Sequence, residues 1–314
     1  MALPFRSRLQ VSRSFPEWTI AQSGIFLSIA DRRFPVIGSA CSRDSRVART
    51  TSFYEAIERL LTRVAAHSED RWLDARQGVE GQMSPVSVRL SQVLPRPDPQ
   101  GILVTDGTGL AVHNDHDSAR SHAVAELQER ALLAQLWYRG GLPMRRVSLP
   151  QDGDHMNART WVLDGGDMWF AVADAINYKQ LAYALGAAVR DSRDSAAAHA
   201  LSEAVMVLDS AQRGAIPPHV QKLARQRASA LAGPLAMQRR EHLDGMIERA
   251  CSTNVEGFAN LWLHARIRPQ DVTVAHVLTG PDWTMVRATA ENALLLRDAR
   301  HQHEFSHIVS DPLC

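Results

Sequence analysis

Ala48-Arg49-Thr50-Thr51-Ser52-Phe53-Tyr54-Glu55-Ala56-Ile57-Glu58-Arg59 opens a pattern that the chain repeats twice. Ala119-Arg120-Ser121-His122-Ala123-Val124-Ala125-Glu126-Leu127-Gln128-Glu129-Arg130 follows the same plan. Ala196-Ala197-Ala198-His199-Ala200-Leu201-Ser202-Glu203-Ala204-Val205-Met206 keeps its first glutamate only. In each segment the glutamate stands seven residues after the opening alanine, and the three glutamates are 71 and 77 residues apart. Good helix formers dominate and Gly and Pro are absent, so all three segments are expected as helices.

On a helix, residues i and i+3 share a face, which aligns Glu55 with Glu58 and Glu126 with Glu129. Like charges side by side repel unless a cation sits between them. Mg²⁺ suits that place, because it takes oxygen ligands and completes its shell with water and substrate phosphates. The competing reading is a solvated surface helix with i,i+4 pairs, Glu55 to Arg59 and Glu126 to Arg130. One E-x-x-E-R favours the surface pair. Two matched copies with a degenerate third favour the cation.

The rest of the chain bounds the setting. At 314 residues it suits one large domain or two ordinary ones, and 45% apolar with 22% charged residues is ordinary for a soluble globular protein. Basic and acidic residues nearly cancel, 35 against 34, which speaks against a nucleic-acid or membrane surface. Cys41, Cys251 and Cys314 are too widely spaced for a zinc or disulfide framework. The longest apolar stretches are too short for a bilayer, and no signal-peptide apolar region opens the chain. A soluble, cytoplasmic protein is expected.

Read in order, residues 1–20 form an arm or early strand, and residues 21–314 a single domain. Strands are expected at Gly24–Ile29, Phe34–Ile37, Val86–Leu94, Gly101–Thr105 and Val272–Leu278. A hairpin is expected around Asp164-Gly165-Gly166-Asp167, and Tyr183–Ala188 leads to the helix-capping run Asp191–Ser195. Ser39–Ser45 reads as a small-residue loop, Pro95–Pro99 as a break, and residues 217–250 and 285–300 as helical. The fold class is therefore α+β: mixed sheets packed with helices, in repeated strand–loop–helix units with three Glu-bearing helices.

Several nucleotide and metal motifs are missing: the G-x-x-x-x-G-K-[ST] loop, G-x-G-x-x-G after a strand, and H-E-x-x-H. His113 and His116 with Asp115 and Asp117 offer metal-ligand chemistry, but their place before a helix fits a solvated loop better. His301, His303 and His307 lie in a polar terminal stretch.

Taken together, these motifs resemble the YcaO family of ATP-dependent peptide-modifying proteins. Its first motif, a small-residue loop and then S-x-x-x-E-x-x-E-R, is similar to Ser39–Arg59 with Thr51 in the serine position. Its second is similar to Gly109-Leu110-Ala111 with Glu126–Ala131, and its third to Ala200-Leu201-Ser202-Glu203. The resemblance spans roughly residues 20–285. The chain departs from the family at Cys41-Ser42-Arg43, where a lysine is common. It departs again at Met206 and Leu208, where Gln and Arg are usual, and in its Ser310–Cys314 ending.

The resemblance implies ATP and Mg²⁺ as cofactors, with the metal held by Glu55, Glu58, Glu126, Glu129 and Glu203. Thr51 and His122 stand one turn before the glutamates and face the nucleotide in this reading. Arg59 and Arg130 either neutralise phosphate oxygens or pair with the glutamates. The implied activity is phosphorylation of a backbone amide in a ribosomally made precursor peptide, with azoline formation as the product. A separate leader-peptide-binding protein is the implied partner, and a homodimer is left open. The alternative is a pseudo-enzyme that binds peptide as a scaffold, which Met206 and Leu208 favour.

Overall fold

The computed structural model describes residues 5–29, 32–78, 83–94, 108–148, 156–213, 234–251 and 267–291. Its first part runs β1 (Arg6–Val11), β2 (Thr19–Ile29), β3 (Arg32–Ser42) and α1 (Ser45–Ala66). Next come β4 (Trp72–Gln77), β5 (Ser84–Arg89), the one-turn α2 (Leu90–Val93), β6 (Leu110–His113) and α3 (His116–Ala134). The chain continues with β7 (Arg145–Val147), β8 (Met156–Asp164), β9 (Trp169–Asn177), β10 (Ala182–Arg190) and α4 (Arg193–Arg213). It closes with α5 (Pro234–Cys251), β11 (Val272–Gly280) and β12 (Trp283–Ala290). Three sheets form, ordered β1-β2-β3, β10-β9-β8-β7 and β5-β4-β11-β12-β6. Every described pairing is antiparallel.

The three expected helices form, each starting at a cap. Asp44 accepts the Arg46 N–H at 2.7 Å and Asp115 accepts the Ser118 N–H at 2.7 Å. At α4 the Ser192 carbonyl receives the Ala196 N–H at 3.0 Å. The expected hairpin pairs Asp164 with Trp169.

Alternation along β9 and β10 explains how α4 settles. Ala171, Ala173 and Ala175 share one face with Ala182, Ala184 and Ala188, and α4 lays Ala196, Ala200 and Ala204 on it. The opposite face presents Phe170, Val172, Ile176, Tyr183 and Leu185 to Trp137, Leu132 and Leu243. Small residues on one side bring helix and strand backbones close, while large ones fill the other layer. Phe15 and Trp18, from the β1–β2 connection, complete the α4 core. Ser12 and the Arg13 N–H reach Asp209 of α4 at 3.3 and 2.7 Å. On the large-residue side, fully buried Asp174 receives Arg159 Nε at 3.1 Å, and Arg159 Nη1 lies 2.8 Å from Asp244 of α5.

Three expectations are corrected. Residues 285–300 were expected to be helical, but β12 occupies Trp283–Ala290 between β11 and β6, with Met285, Val286 and Ala288 fully buried. The Pro281-Asp282 turn folds it back on β11, and β-branched Thr284, Val286 and Thr289 suit the pleat. The strand expected over Val86–Leu94 ends at Arg89. Asp70 takes the Ser91 N–H and hydroxyl, both at 3.0 Å, and winds the chain into α2. Ser39–Ser42 is strand, not loop, because β3 pairs with β2 as far as Ser42 opposite Thr19. Trp72–Gln77, to which no element was assigned, is a strand. Within residues 1–20, β1 pairs with β2 over Arg6–Val11. The expectations at Pro95–Pro99, Gly101–Thr105, 217–233 and the terminal histidines fall outside the described residues.

Candidate functional site

The site begins where an edge strand meets a helix. β3 ends the three-stranded sheet, so on its free side backbone N–H groups need partners from elsewhere. Gly38 brings that strand against α1: a Cβ there would lie 2.1 Å from the Ser52 carbonyl oxygen and 2.3 Å from the Ala56 nitrogen. With the side chain absent, the Ser39 N–H donates to Glu55 Oε2 at 2.6 Å. Glu55 Oε1 takes Arg59, whose other nitrogen donates to the Ile37 carbonyl at 2.7 Å.

The same contact recurs 148 residues later. β10 is also an edge strand, and a Cβ on Gly186 would lie 2.2 Å from the Ala200 oxygen and 2.6 Å from the Ala204 nitrogen. The Ala187 N–H donates to Glu203 Oε2 at 2.9 Å. Gly38, Ala40, Ala48, Glu55, Ala56 and Leu60 thus map onto Gly186, Ala188, Ala196, Glu203, Ala204 and Leu208. Met206 and Val207 fall where the first unit has Glu58 and Arg59.

The third helix joins through α3, which touches both β10 and β12. Its approach needs Gly109, which sits at φ 71 with a carbonyl accepting the Ala288 N–H at 2.7 Å. A Cβ there would meet the Ala288 oxygen at 2.2 Å, so only glycine fits. Glu129 is buried at 6% exposure, and Arg130 Nη2 lies 3.7 Å from Glu126 and 3.6 Å from Glu129.

Electrostatics close the five glutamates into one group. Burial pushes the Glu58 carboxyl well up, reinforced by Glu126 and Glu55. Burial lifts Glu129 to about 8, against Arg130, with Glu203 and Glu126 adding to the rise. Glu55 also rises through burial, with Arg59 and the Ser39 N–H opposing and Glu203 reinforcing. Each of the five therefore feels at least one of the others, across three helices. The arginine–glutamate pairs weighed from sequence do form, but around recessed carboxylates rather than on a solvated face. Thr51 and His122 stand exposed one turn before Glu55 and Glu126.

Such a set fits hard divalent cations, whose charge would relieve the repulsion that raises these carboxyls. Among the described residues no three His, Cys, Asp or Glu side chains converge tightly enough to ligate one ion by themselves. The fit is to ions that fill much of their shell with water and ligand oxygens, as Mg²⁺ does. The His113–Asp117 stretch gathers no metal set. His113 Nδ1 lies 3.1 Å from the Asp115 cap, and His116 stacks on His276 with ring centroids 4.2 Å apart.

Sequence reasoning missed the backbone donors at Ser39 and Ala187, and also Arg190 and His199. Arg190 ends β10 and acts electrostatically on Glu129, His122 and His199. Desolvation first, then Arg190 and His122, hold the His199 imidazole down at about 4. A signal for the donors was present in the matched Ile37-Gly38-Ser39-Ala40 and Leu185-Gly186-Ala187-Ala188. Leu208, suspected as a site position, is fully buried against the alanine layer and does not belong to the site.

A family model described as YcaO cyclodehydratase, ATP- and Mg²⁺-binding, matches residues 61–261. No curated protein sequence matches the chain. Among solved structures it is similar to YcaO from Methanopyrus kandleri bound with AMPPCP and Mg²⁺, at 14% identity and TM-score 0.56, over 92% of this chain and 85% of that one. It is similar to the E. coli microcin synthetase McbBCD complex at 11% identity and TM-score 0.61, over 91% of this chain and 87% of that one. A heterocyclase in complex with substrate and cofactor gives 12% identity and TM-score 0.60, over 93% of this chain and 50% of that one. At these identities the structural likeness speaks for the fold.

Proposed function

The chain belongs to the YcaO family, and on that footing we propose that it binds Mg²⁺ and ATP on the face shared by α1, α3 and α4. We propose further that it modifies a ribosomally made precursor peptide by activating a backbone amide, with azoline formation as the product. The observation that carries this reading is the group of five buried or half-buried glutamates from three helices that act on one another electrostatically, two of them lifted strongly towards the neutral form. Carboxylates so placed are unfavourable in an empty site and favourable around cations. Bound there, Mg·ATP supplies the phosphoryl group that turns an amide oxygen into a leaving group.

The glutamates hold the cations in this reading, directly or through water. Arg59 and Arg130 orient them and bring guanidinium charge, suited to phosphate oxygens, to the same face. Thr51 and His122 offer polar contacts one turn away. The E. coli complex has also been solved with pro-MccB17 bound, which supports a peptide substrate delivered within an assembly that includes a leader-binding partner. The scaffold alternative retains Met206 in its favour but not Leu208, which is a core residue.

Calorimetry of ATP binding tests the proposal on the wild type and on Glu58→Gln with Glu126→Gln. Saturable binding that needs Mg²⁺ and vanishes in the double variant is expected. Binding that survives both substitutions would place the nucleotide elsewhere and sink the reading.

A further inference from the structure

Away from the glutamates, on another flank of α3, two apolar rows end in histidine. The α3-facing row of β11 runs Val272, Val274 and then His276, just before the register with β12 shifts towards Leu278. The matching row of α3 runs Leu127, Ala123, Ala119 and, one turn earlier, His116. The two imidazoles stack face to face, with centroids 4.2 Å apart and planes 4° from parallel. Beside them, Arg76 of β4, paired with Val274 in the sheet, and Arg120 of α3 help to enclose a cavity of about 220 Å³. Arg120 stands about 120° round the helix from Glu126 and about 180° from Glu129. None of the five glutamates lines the cavity, which is independent of the nucleotide reading above.

Donors converge here with little to receive them. Among the described residues the Arg76 guanidinium has no hydrogen-bond or ion-pair partner, and neither ring nitrogen of His276 is hydrogen-bonded. The nearby acids are screened by water: the Asp117 side chain is 91% exposed, 3.4 Å from His116 Nδ1, and Asp74 is exposed. A stack that only closed the apolar layer would gain nothing from guanidinium charge beside it. We propose that this cavity binds a small tetrahedral oxyanion, a phosphate or sulfate group, between Arg76, Arg120 and the two histidines. Its volume is below the about 300–1,000 Å³ of pockets for drug-sized ligands, which suits a small ion or one such group. Guanidinium forks match oxyanion geometry, and a protonated imidazole donates from both nitrogens. Desolvation first, then His116, hold the His276 imidazole down, with Arg76 adding to the fall and Asp74 opposing it. The charged and titratable groups around it are Asp74 and Arg76 from β4 and His116, Asp117 and Arg120 from α3. A dianion among them favours the imidazolium and couples binding to proton uptake.

Sulfate is the probe, because it is a tetrahedral dianion that does not itself titrate near neutral pH. Calorimetry on the full chain, at constant ionic strength set with chloride, is expected to show saturable binding. Affinity should rise by up to about tenfold per pH unit as pH falls through the histidine range. Proton uptake should accompany it, read as a dependence of the binding enthalpy on the buffer. Arg76→Gln, at an exposed position, is expected to weaken binding about 10- to 100-fold. His276→Gln is expected to diminish the proton uptake. Inorganic phosphate against glycerol phosphate then separates the two sources of the anion. Tighter binding of the ester assigns it to a larger ligand and the reverse to the free ion, and either result supports the site. Affinity unchanged in Arg76→Gln would place the ion elsewhere and overturn the proposal. So would a lack of saturation at millimolar sulfate, equal affinity at pH 6 and pH 8, or proton uptake undiminished in His276→Gln.

Discussion

Replacing Gly186 by alanine tests the strand–helix contact on which the site is built. The new Cβ would stand 2.2 Å from the Ala200 oxygen, about 1.2 Å inside ordinary contact, with the Ala204 nitrogen at 2.6 Å and the Glu203 Cβ at 2.9 Å. Two of these neighbours are backbone, so relief requires α4 to move away from β10. Overpacking of this kind costs about 1–3 kcal/mol. The movement also stretches the Ala187 N–H bond to Glu203, a bond to a charged group that contributes about 1.5–3 kcal/mol. The expected destabilisation is therefore about 3–5 kcal/mol, measured as a fall in the urea midpoint at unchanged slope. The sign is informative, because a Gly→Ala change at an unhindered position stabilises by about 0.4–1 kcal/mol. Gly38→Ala should behave alike, with its Cβ 2.1 Å from the Ser52 oxygen. A loss under about 1 kcal/mol at both positions would refute the close-contact reasoning.

Apo stability should fall with pH. Glu129 titrates near 8 in the folded chain against an ordinary 4.5, so its contribution is fully present below about 4.5 and lost as pH rises through about 8. Thermal unfolding at pH 5 and pH 9 checks this, with Glu129→Gln flattening the difference. By the same linkage, Mg²⁺ should bind more tightly as pH rises through 8 and release protons, seen as a buffer-dependent binding enthalpy. Asp174→Asn should cost about 3–5 kcal/mol in a denaturant titration, because it removes the fully buried carboxylate that Arg159 and Arg240 share, the latter 3.5 Å from Asp174. Leu208→Arg should unfold the chain rather than add a site guanidinium, and Leu208→Ala should cost about 2–5 kcal/mol. Met206→Gln, at a half-buried position, should leave the urea midpoint nearly unchanged.

The three helices were legible because their evidence is local: formers without breakers, Asp and Ser caps, and glutamates at i and i+3. Those are properties of one turn of helix, and no distant residue revoked them. The strand at Trp283–Ala290 was not legible. Read together with the Ala- and Leu-rich sequence that follows it, it passes for helix, and only pairing with both β11 and β6 selects the extended form. Ser39–Ser42 likewise looks like a loop until β2 is laid beside it.

At the candidate site, the sequence proposed the five glutamates and their arginines, since residue type and spacing are enough to suggest a carboxylate–cation chemistry. Which glutamates touch one another, and which are committed to backbone, is a matter of edges. A free N–H exists at Ser39 and at Ala187 only because β3 and β10 end their sheets, and a glutamate reaches it only because glycine lets the helix close in. Position 208 shows the same limit: its motif register suggested the site, while the alanine layer of β9 and β10 claimed the side chain for the core. Residue chemistry is written locally, but the charge environment and the packing partner of each side chain are set by neighbours tens to hundreds of residues away, and only the folded chain brings them into contact.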